Sequence, residues 1–228
     1  MDRNLESSAT LVDIPLEDVV IPGIVNQLKL RDILNLRAVS RDFRELGDRI
    51  LQLTFRTFDF THDGPNSQET FDVLSRNCNR VTTVRLKNMP FLTDAALTEV
   101  FEKNAATLEH VTLESCEQIT FLALHTLCVR AKKLTSLRIP KIKCRDGLLQ
   151  MISLHNSHLT EVDFSECLKM SSLGLQEFFK CQPRLQTIIL CEMPVDINPV
   201  ISVIAQNCKE LKMLDIYMNS GIEDAPLL

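Results

Sequence analysis

The sequence predicts a repeat protein of the α/β class, a stack of strand–helix units following a short helical module. Three observations predict it. First, an apolar-x-x-apolar-x-apolar core recurs seven times. It starts at Phe55, Val81, Leu108, Leu134, Leu159, Leu185 and Leu211, with offsets of 26, 27, 26, 25, 26 and 26 residues. Self-similarity at a fixed period marks a stacked architecture, because one unit buries its apolar face only against its neighbours. Second, helical apolar patterns follow the cores. Examples are Ala95, Leu97, Val100 and Phe101; Leu122, Leu124, Leu127 and Cys128; and Leu173, Leu175, Phe178 and Phe179. Third, a chain of 228 residues that is 45% hydrophobic and 24% charged has the composition of a packed soluble fold.

Residues 1–13 are polar and are expected to be mobile. Residues 14–50 read as three short helices. Pro22 suits the first turn of a helix over 22–27. Leu30, Ile33, Leu34 and Leu36 give a second helix one apolar face. Ser40 can cap a third, whose stripe is Phe43, Leu46 and Ile50. Residues 51–228 then hold about seven repeat units. Three residues beyond each core stands a turn position, occupied by Asp63, Met89, Cys116, Ile142, Cys167, Met193 and Asn219. Thr93-Asp94 gives one of the following helices a capped start. In the last unit only twelve residues follow Ile216, and they include Gly221 and Pro226. That tail is too short and interrupted for a return helix, so either it folds back as an irregular lid or, the favoured expectation, the chain is a shortened form of a longer repeat protein with an open edge strand.

Alternation along each strand turns the residues between the buried positions to solvent. They include a basic group, Arg85, Lys87 and Arg138, an acidic group, Glu161 and Asp163, and an apolar end, Ile189, Met213 and Tyr217. An apolar patch beside opposed charges suits a specific protein partner.

Other chemistries are disfavoured. A net charge of −5 argues against general affinity for nucleic acid or anionic membrane. No apolar run approaches the roughly 18–20 residues of a membrane span. Met1-Asp2-Arg3-Asn4-Leu5-Glu6-Ser7-Ser8 lacks a secretory signal pattern, so a cytoplasmic or nuclear address is expected. The eight cysteines contain no C-x-x-C pair and are expected to be reduced, most of them as small buried apolar residues. His155-x-x-His158 has no acidic or cysteine ligand beside it and reads as part of a solvated loop, not a metal site. There is no Gly-rich phosphate loop and no G-x-S-x-G elbow. No catalytic residue, metal or cofactor is expected.

The segment Ile14-Pro15-Leu16-Glu17-Asp18-Val19, with Leu28-x-Leu30-x-Asp32-Ile33 and Val39-Ser40-Arg41-x-Phe43-Arg44, resembles an F-box. Phe43 stands where the common pattern has Trp, Ser40 where Cys is frequent, and two extra residues lie between Pro15 and Leu28. The repeats, over about residues 51–220, resemble the cysteine-containing leucine-rich repeats of the F-box/leucine-rich-repeat family. That resemblance implies a curved leucine-rich-repeat solenoid, parallel strands concave and helices convex, preceded by a small three-helix F-box-like module. It implies a non-catalytic substrate receptor. Ile14, Pro15, Leu28, Leu30, Ile33, Val39 and Phe43 would meet the adaptor Skp1 of a cullin–RING ubiquitin ligase. The concave face, with Arg85, Lys87, Arg138, Glu161, Asp163, Ile189, Met213 and Tyr217, would bind an unidentified target protein. The alternative is a ligase-independent repeat scaffold or inhibitor, with the helical module acting only as a cap on the first repeat.

Overall fold

In the computed structural model the described residues are 27–61 and 68–222. Ile14, Pro15, Asp63, Pro226 and all of the helix expected over 22–27 except Gln27 lie outside them. The chain divides into two compact units. One ends at Phe55 and includes Arg76–Cys78; the other holds Arg56–Ser75 and everything from Asn79 onward.

In the first unit two helices follow each other, α1 (Leu30–Arg37) and α2 (Arg41–Thr54). Ser40 caps α2 as expected: its hydroxyl accepts a hydrogen bond from the Phe43 amide at 3.2 Å. At the start of α1 the Asp32 carboxylate accepts from the Lys29 amide at 2.9 Å. Leu46, Ile50 and Leu51 form the buried stripe of α2, and Leu51 carries the helix past residue 50. Gly47 lets the helices approach closely, because a methyl group there would overlap the aliphatic stem of Arg37. Arg37 also reaches Asp48 at 2.6 Å, a part-buried ion pair that fixes the crossing.

The second unit alternates strand and helix throughout. The strands are β1 (Thr57–Phe60), β2 (Thr83–Lys87), β3 (His110–Glu114), β4 (Ser136–Arg138), β5 (Glu161–Asp163), β6 (Thr187–Ile189) and β7 (Met213–Asp215). Between them run α3 (Gln68–Asn77), α4 (Asp94–Asn104), α5 (Phe121–Arg130), α6 (Asp146–His155), α7 (Ser172–Lys180) and α8 (Asn198–Asn207). All seven strands pair in parallel, in sequence order, in one sheet. This is an α/β solenoid of the leucine-rich-repeat type.

The repeated core explains the packing. Phe58, Val84, Val111, Leu137, Val162 and Ile188 sit in register across the sheet, and all are fully buried. Each contributes about 1.5–3 kcal/mol of transfer free energy. The helices answer with Leu97 and Phe101, Leu124 and Leu127, Leu149 and Ile152, and Leu175 and Phe179. In the seventh unit the equivalent Leu211, Leu214 and Ile216 are only part-buried.

Three of the turn positions, Cys116, Cys167 and Asn219, share a chemistry. The Cys116 thiol donates to the Leu86 carbonyl of the preceding unit at 3.8 Å, and Cys167 to Ile139 at 3.3 Å. Asn219 does both jobs of an amide there: its Nδ2 donates to Leu190 at 2.6 Å and its Oδ1 accepts from the Met193 amide at 2.8 Å. A short donor side chain thus satisfies a carbonyl that the parallel ladder leaves over.

Three features were not foreseen. Asn88, Ser115, Lys141, Glu166, Glu192 and Met218 each hold a left-handed conformation, φ between 52° and 64°, just before the turn position. That conformation costs an L-residue about 1–2 kcal/mol. It is offset by a ladder bond beyond the strand end, such as Lys141 N–H to Ser165 O at 2.9 Å and Glu166 N–H to Cys191 O at 3.0 Å. Second, polar side chains are buried where helices end. Asn104 accepts from the Val81 amide and donates to Val100, both at 2.8 Å. Asn156 donates to Ala131 at 3.1 Å. The stretch Leu154–His158, read as a solvated loop, therefore needs correcting: His155 ends α6 and Asn156 is completely buried. Third, acidic residues at helix starts clamp adjacent units. The Asp94 carboxylate accepts from the Thr120 amide at 2.8 Å and from its hydroxyl. Asp146 does the same to Ser171, at 2.8 and 2.6 Å.

Candidate protein-binding surfaces

The sheet face is built from three rows of side chains that the register places across the strands. The central row is Asp59, Arg85, Thr112, Arg138, Asp163, Ile189 and Asp215. The row on its N-terminal side carries Thr83, His110, Ser136, Glu161, Thr187 and Met213. On its C-terminal side lie Lys87 and Glu114, with Tyr217 at the far end.

This register regroups the expected charges. Arg85, Lys87 and Arg138 do not form one basic region, nor do Glu161 and Asp163 stand apart as an acidic one. Arg85 faces Asp59 at 3.5 Å and Lys87 meets Glu114 at 2.7 Å. Arg138 lies between Glu161 at 3.7 Å and Asp163 at 3.4 Å. The physical reason is that residues about one repeat apart become neighbours in a parallel stack, and these four pairs join adjacent strands at separations of 26, 27, 23 and 25 residues. Asp163 is almost entirely buried, at 5% exposure, and its other oxygen accepts from the Ser165 amide at 3.0 Å. It supports Arg138 more than it presents itself. Asp59 is set similarly: burial raises its pKa, but the Thr61 hydroxyl and amide and the Arg85 guanidinium outweigh that and hold it below the ordinary carboxylate value.

The apolar end is open. Met213 is 47% and Tyr217 71% exposed, with Ile189 part-exposed between them and the rest of the face. Cys191 is half-buried beside them; burial pushes its thiol pKa up, and the Asp215 carboxylate adds to the effect. Deeper in the repeats, burial pushes Cys128, Cys144 and Cys167 up to about 12, so these thiols are core residues without nucleophilic character.

Among the described residues of the first unit Val39 is the most open large apolar side chain, at 67% exposure, and Leu28, Leu30 and Phe43 are part-exposed. Ile33 is buried at 4% and serves the α1–α2 core in the chain by itself. Of the residues expected to meet an adaptor, the described surface therefore presents Leu28, Leu30, Val39 and Phe43.

No family model matches the sequence. Over 119 residues the chain is 34% identical to F-box/LRR-repeat protein 15 of Mus musculus, and equally to that of Rattus norvegicus. Each match covers 51% of this chain and 39% of the relative, so the chain spans well under half the length of these curated relatives. Among solved structures, the leucine-rich repeat-containing protein LegL7 from Legionella pneumophila aligns with a TM-score of 0.46 at 12% identity, covering 83% of this chain and 61% of that one. A chain of the Rad7 and Elc1 complex in yeast aligns with a TM-score of 0.37 at 13% identity, covering 84% and 71%. By its matched sequence the chain is similar to F-box/leucine-rich-repeat proteins, and its own strand order gives it the leucine-rich-repeat fold.

Proposed function

We propose that this chain is the substrate-recognition subunit of a Skp1–cullin–F-box ubiquitin ligase. The helical module docks Skp1, and through it a cullin–RING ligase; the sheet face holds a target protein; the chain itself catalyses nothing. A cytoplasmic or nuclear location belongs to the same proposal. The observation that carries it is the 34% identity to F-box/LRR-repeat protein 15. Exposure supports it: Val39 is open and Leu28, Leu30 and Phe43 are part-exposed, which leaves several apolar side chains of this module available to a protein contact. A ligase-independent scaffold would use the same sheet face without the adaptor. Co-expression of the tagged chain with Skp1 and a cullin separates the two. The ligase reading expects a stoichiometric complex on size exclusion. A chain that elutes alone sinks it and leaves the scaffold.

A further inference from the structure

The sheet face changes character along its length. From β1 to β5 every lysine and arginine in its rows has a carboxylate on a neighbouring strand, so an incoming charged group there must displace an existing pair. At β6 and β7 this compensation stops. Asp215 lies in register with Ile189, and Met213 with Thr187. Among the described residues Asp215 makes no ion pair; its Oδ1 accepts only from the Tyr217 amide at 3.1 Å, and the Cys191 thiol lies against it. Glu192, at the turn after β6, likewise has no ion pair there and acts on Lys141 only through its field. Apolar residues flank Asp215: Ile189 is in register with it on β6, and Met213 and Tyr217 stand two residues to either side of it, both exposed.

We propose that the β6–β7 end of the sheet face is the anchor site for a basic amphipathic peptide segment of the target. One apolar side chain of that segment seats among Ile189, Met213 and Tyr217, and an adjacent lysine or arginine pairs with Asp215. The chemistry follows from the contrast above. An exposed aromatic beside aliphatic groups is where interface energy concentrates. A carboxylate that lacks an ion-pair partner in its own chain gains one on binding, whereas an acidic or neutral segment would leave it desolvated and uncompensated. Glu192 adds attraction of the same sign at the edge of the site. This inference rests on reading the sheet face as the target surface.

Panning a random-peptide display library on the purified full chain tests it. The expected consensus pairs Lys or Arg with an aliphatic or aromatic residue within a few positions. A fluorescein-labelled peptide carrying that consensus should lose about tenfold or more in affinity, about 1.4 kcal/mol, on Asp215→Lys and on Tyr217→Ala, with melting by circular dichroism unchanged. Repeating the selection on Asp215→Lys should shift the consensus to acidic peptides. An acidic or charge-indifferent consensus on the wild type, no enriched peptide at all, or an affinity indifferent to Asp215→Lys overturns the proposal. Skp1 co-purification is read in parallel. Skp1 bound without a basic consensus defeats this inference alone. A basic consensus without Skp1 defeats the ligase reading and leaves the anchor standing.

Discussion

The Asp146 clamp offers a test with a change of sign. Asp146 opens α6 and accepts two hydrogen bonds from Ser171, at 2.8 and 2.6 Å. The Ser171 hydroxyl in turn accepts from the Gly174 amide at 3.0 Å and caps α7. Asp146→Ala removes two charge-assisted bonds between adjacent repeats and an acidic group at a helix N-terminus. Hydrogen bonds to charged groups contribute about 1.5–3 kcal/mol each when well buried, and the helix-end charge about 0.3–1 kcal/mol. Ser171 is part-buried, so a total of about 2–3 kcal/mol is expected. For a chain of this size that lowers Tm by roughly 4–12 °C. Gly174 supplies the sign change, because a methyl group there would overlap the Asp146 carboxyl. Gly174→Ala should therefore destabilise the wild type by about 1–2 kcal/mol. In the Asp146→Ala background the obstacle is gone. The same substitution should then stabilise by roughly 0.5–1 kcal/mol, as alanine does over glycine in a helix. Urea unfolding of the four proteins by circular dichroism reads the cycle. Gly174→Ala neutral in the wild type, or equally harmful in both backgrounds, refutes the clamp.

Three further outcomes are expected. Maleimide labelling of the native chain near pH 8, followed by mass spectrometry, should modify exposed Cys181 quickly and half-buried Cys191 slowly. Cys128, Cys144 and Cys167 should react only on unfolding, and rapid labelling of any of them contradicts their assignment to the core. Asp59 has a lowered folded pKa, so its contribution is complete above the ordinary value of 3.8 and is lost as pH falls through the lower folded value. Asp59→Asn should flatten the acid limb of stability against pH, and an unchanged limb would show that the Thr61 and Arg85 contacts do not act on it. Hydrogen exchange should fall in protection from β6 to β7, because Leu211, Leu214 and Ile216 are part-exposed where Leu185, Ile188 and Leu190 are buried. Protection over Met213–Asp215 equal to that over Ser136–Arg138 would contradict this.

Much of the fold was legible because its signal is periodic. Leu137 and Val162 are buried for the same reason, and the spacing announces both. Cys116 and Cys167 were recognisable at the turn, although the carbonyls their thiols serve, those of Leu86 and Ile139, required the structure. What escaped notice leaves no apolar trace. Ser115, Lys141 and Glu166 hold positive φ without glycine, and only their recurrence just before the turn position could have shown it. Asn156 is buried inside a polar run whose neighbours suggested solvent. At the candidate surface the outward rows could be read from alternation. Which charges meet could not, because pairing depends on the register across strands. Arg138 and Asp163 are 25 residues apart in sequence and 3.4 Å apart in space. The exposure of Val39 and burial of Ile33 depend on how α1 meets α2, which a helical pattern alone leaves undetermined.

The adaptor contact is the central claim, and titration calorimetry of the purified chain with Skp1 tests it most directly. Val39 is the substitution of choice because it is 67% exposed, so a change there perturbs a contact without disturbing the core. The account predicts saturable binding by the wild type. It predicts at least about tenfold weaker binding for Val39→Glu, because the new carboxylate must be desolvated in an apolar interface. Thermal melting of the variant should match the wild type. Absence of heat with the wild-type chain, or equal affinity for Val39→Glu, would contradict it.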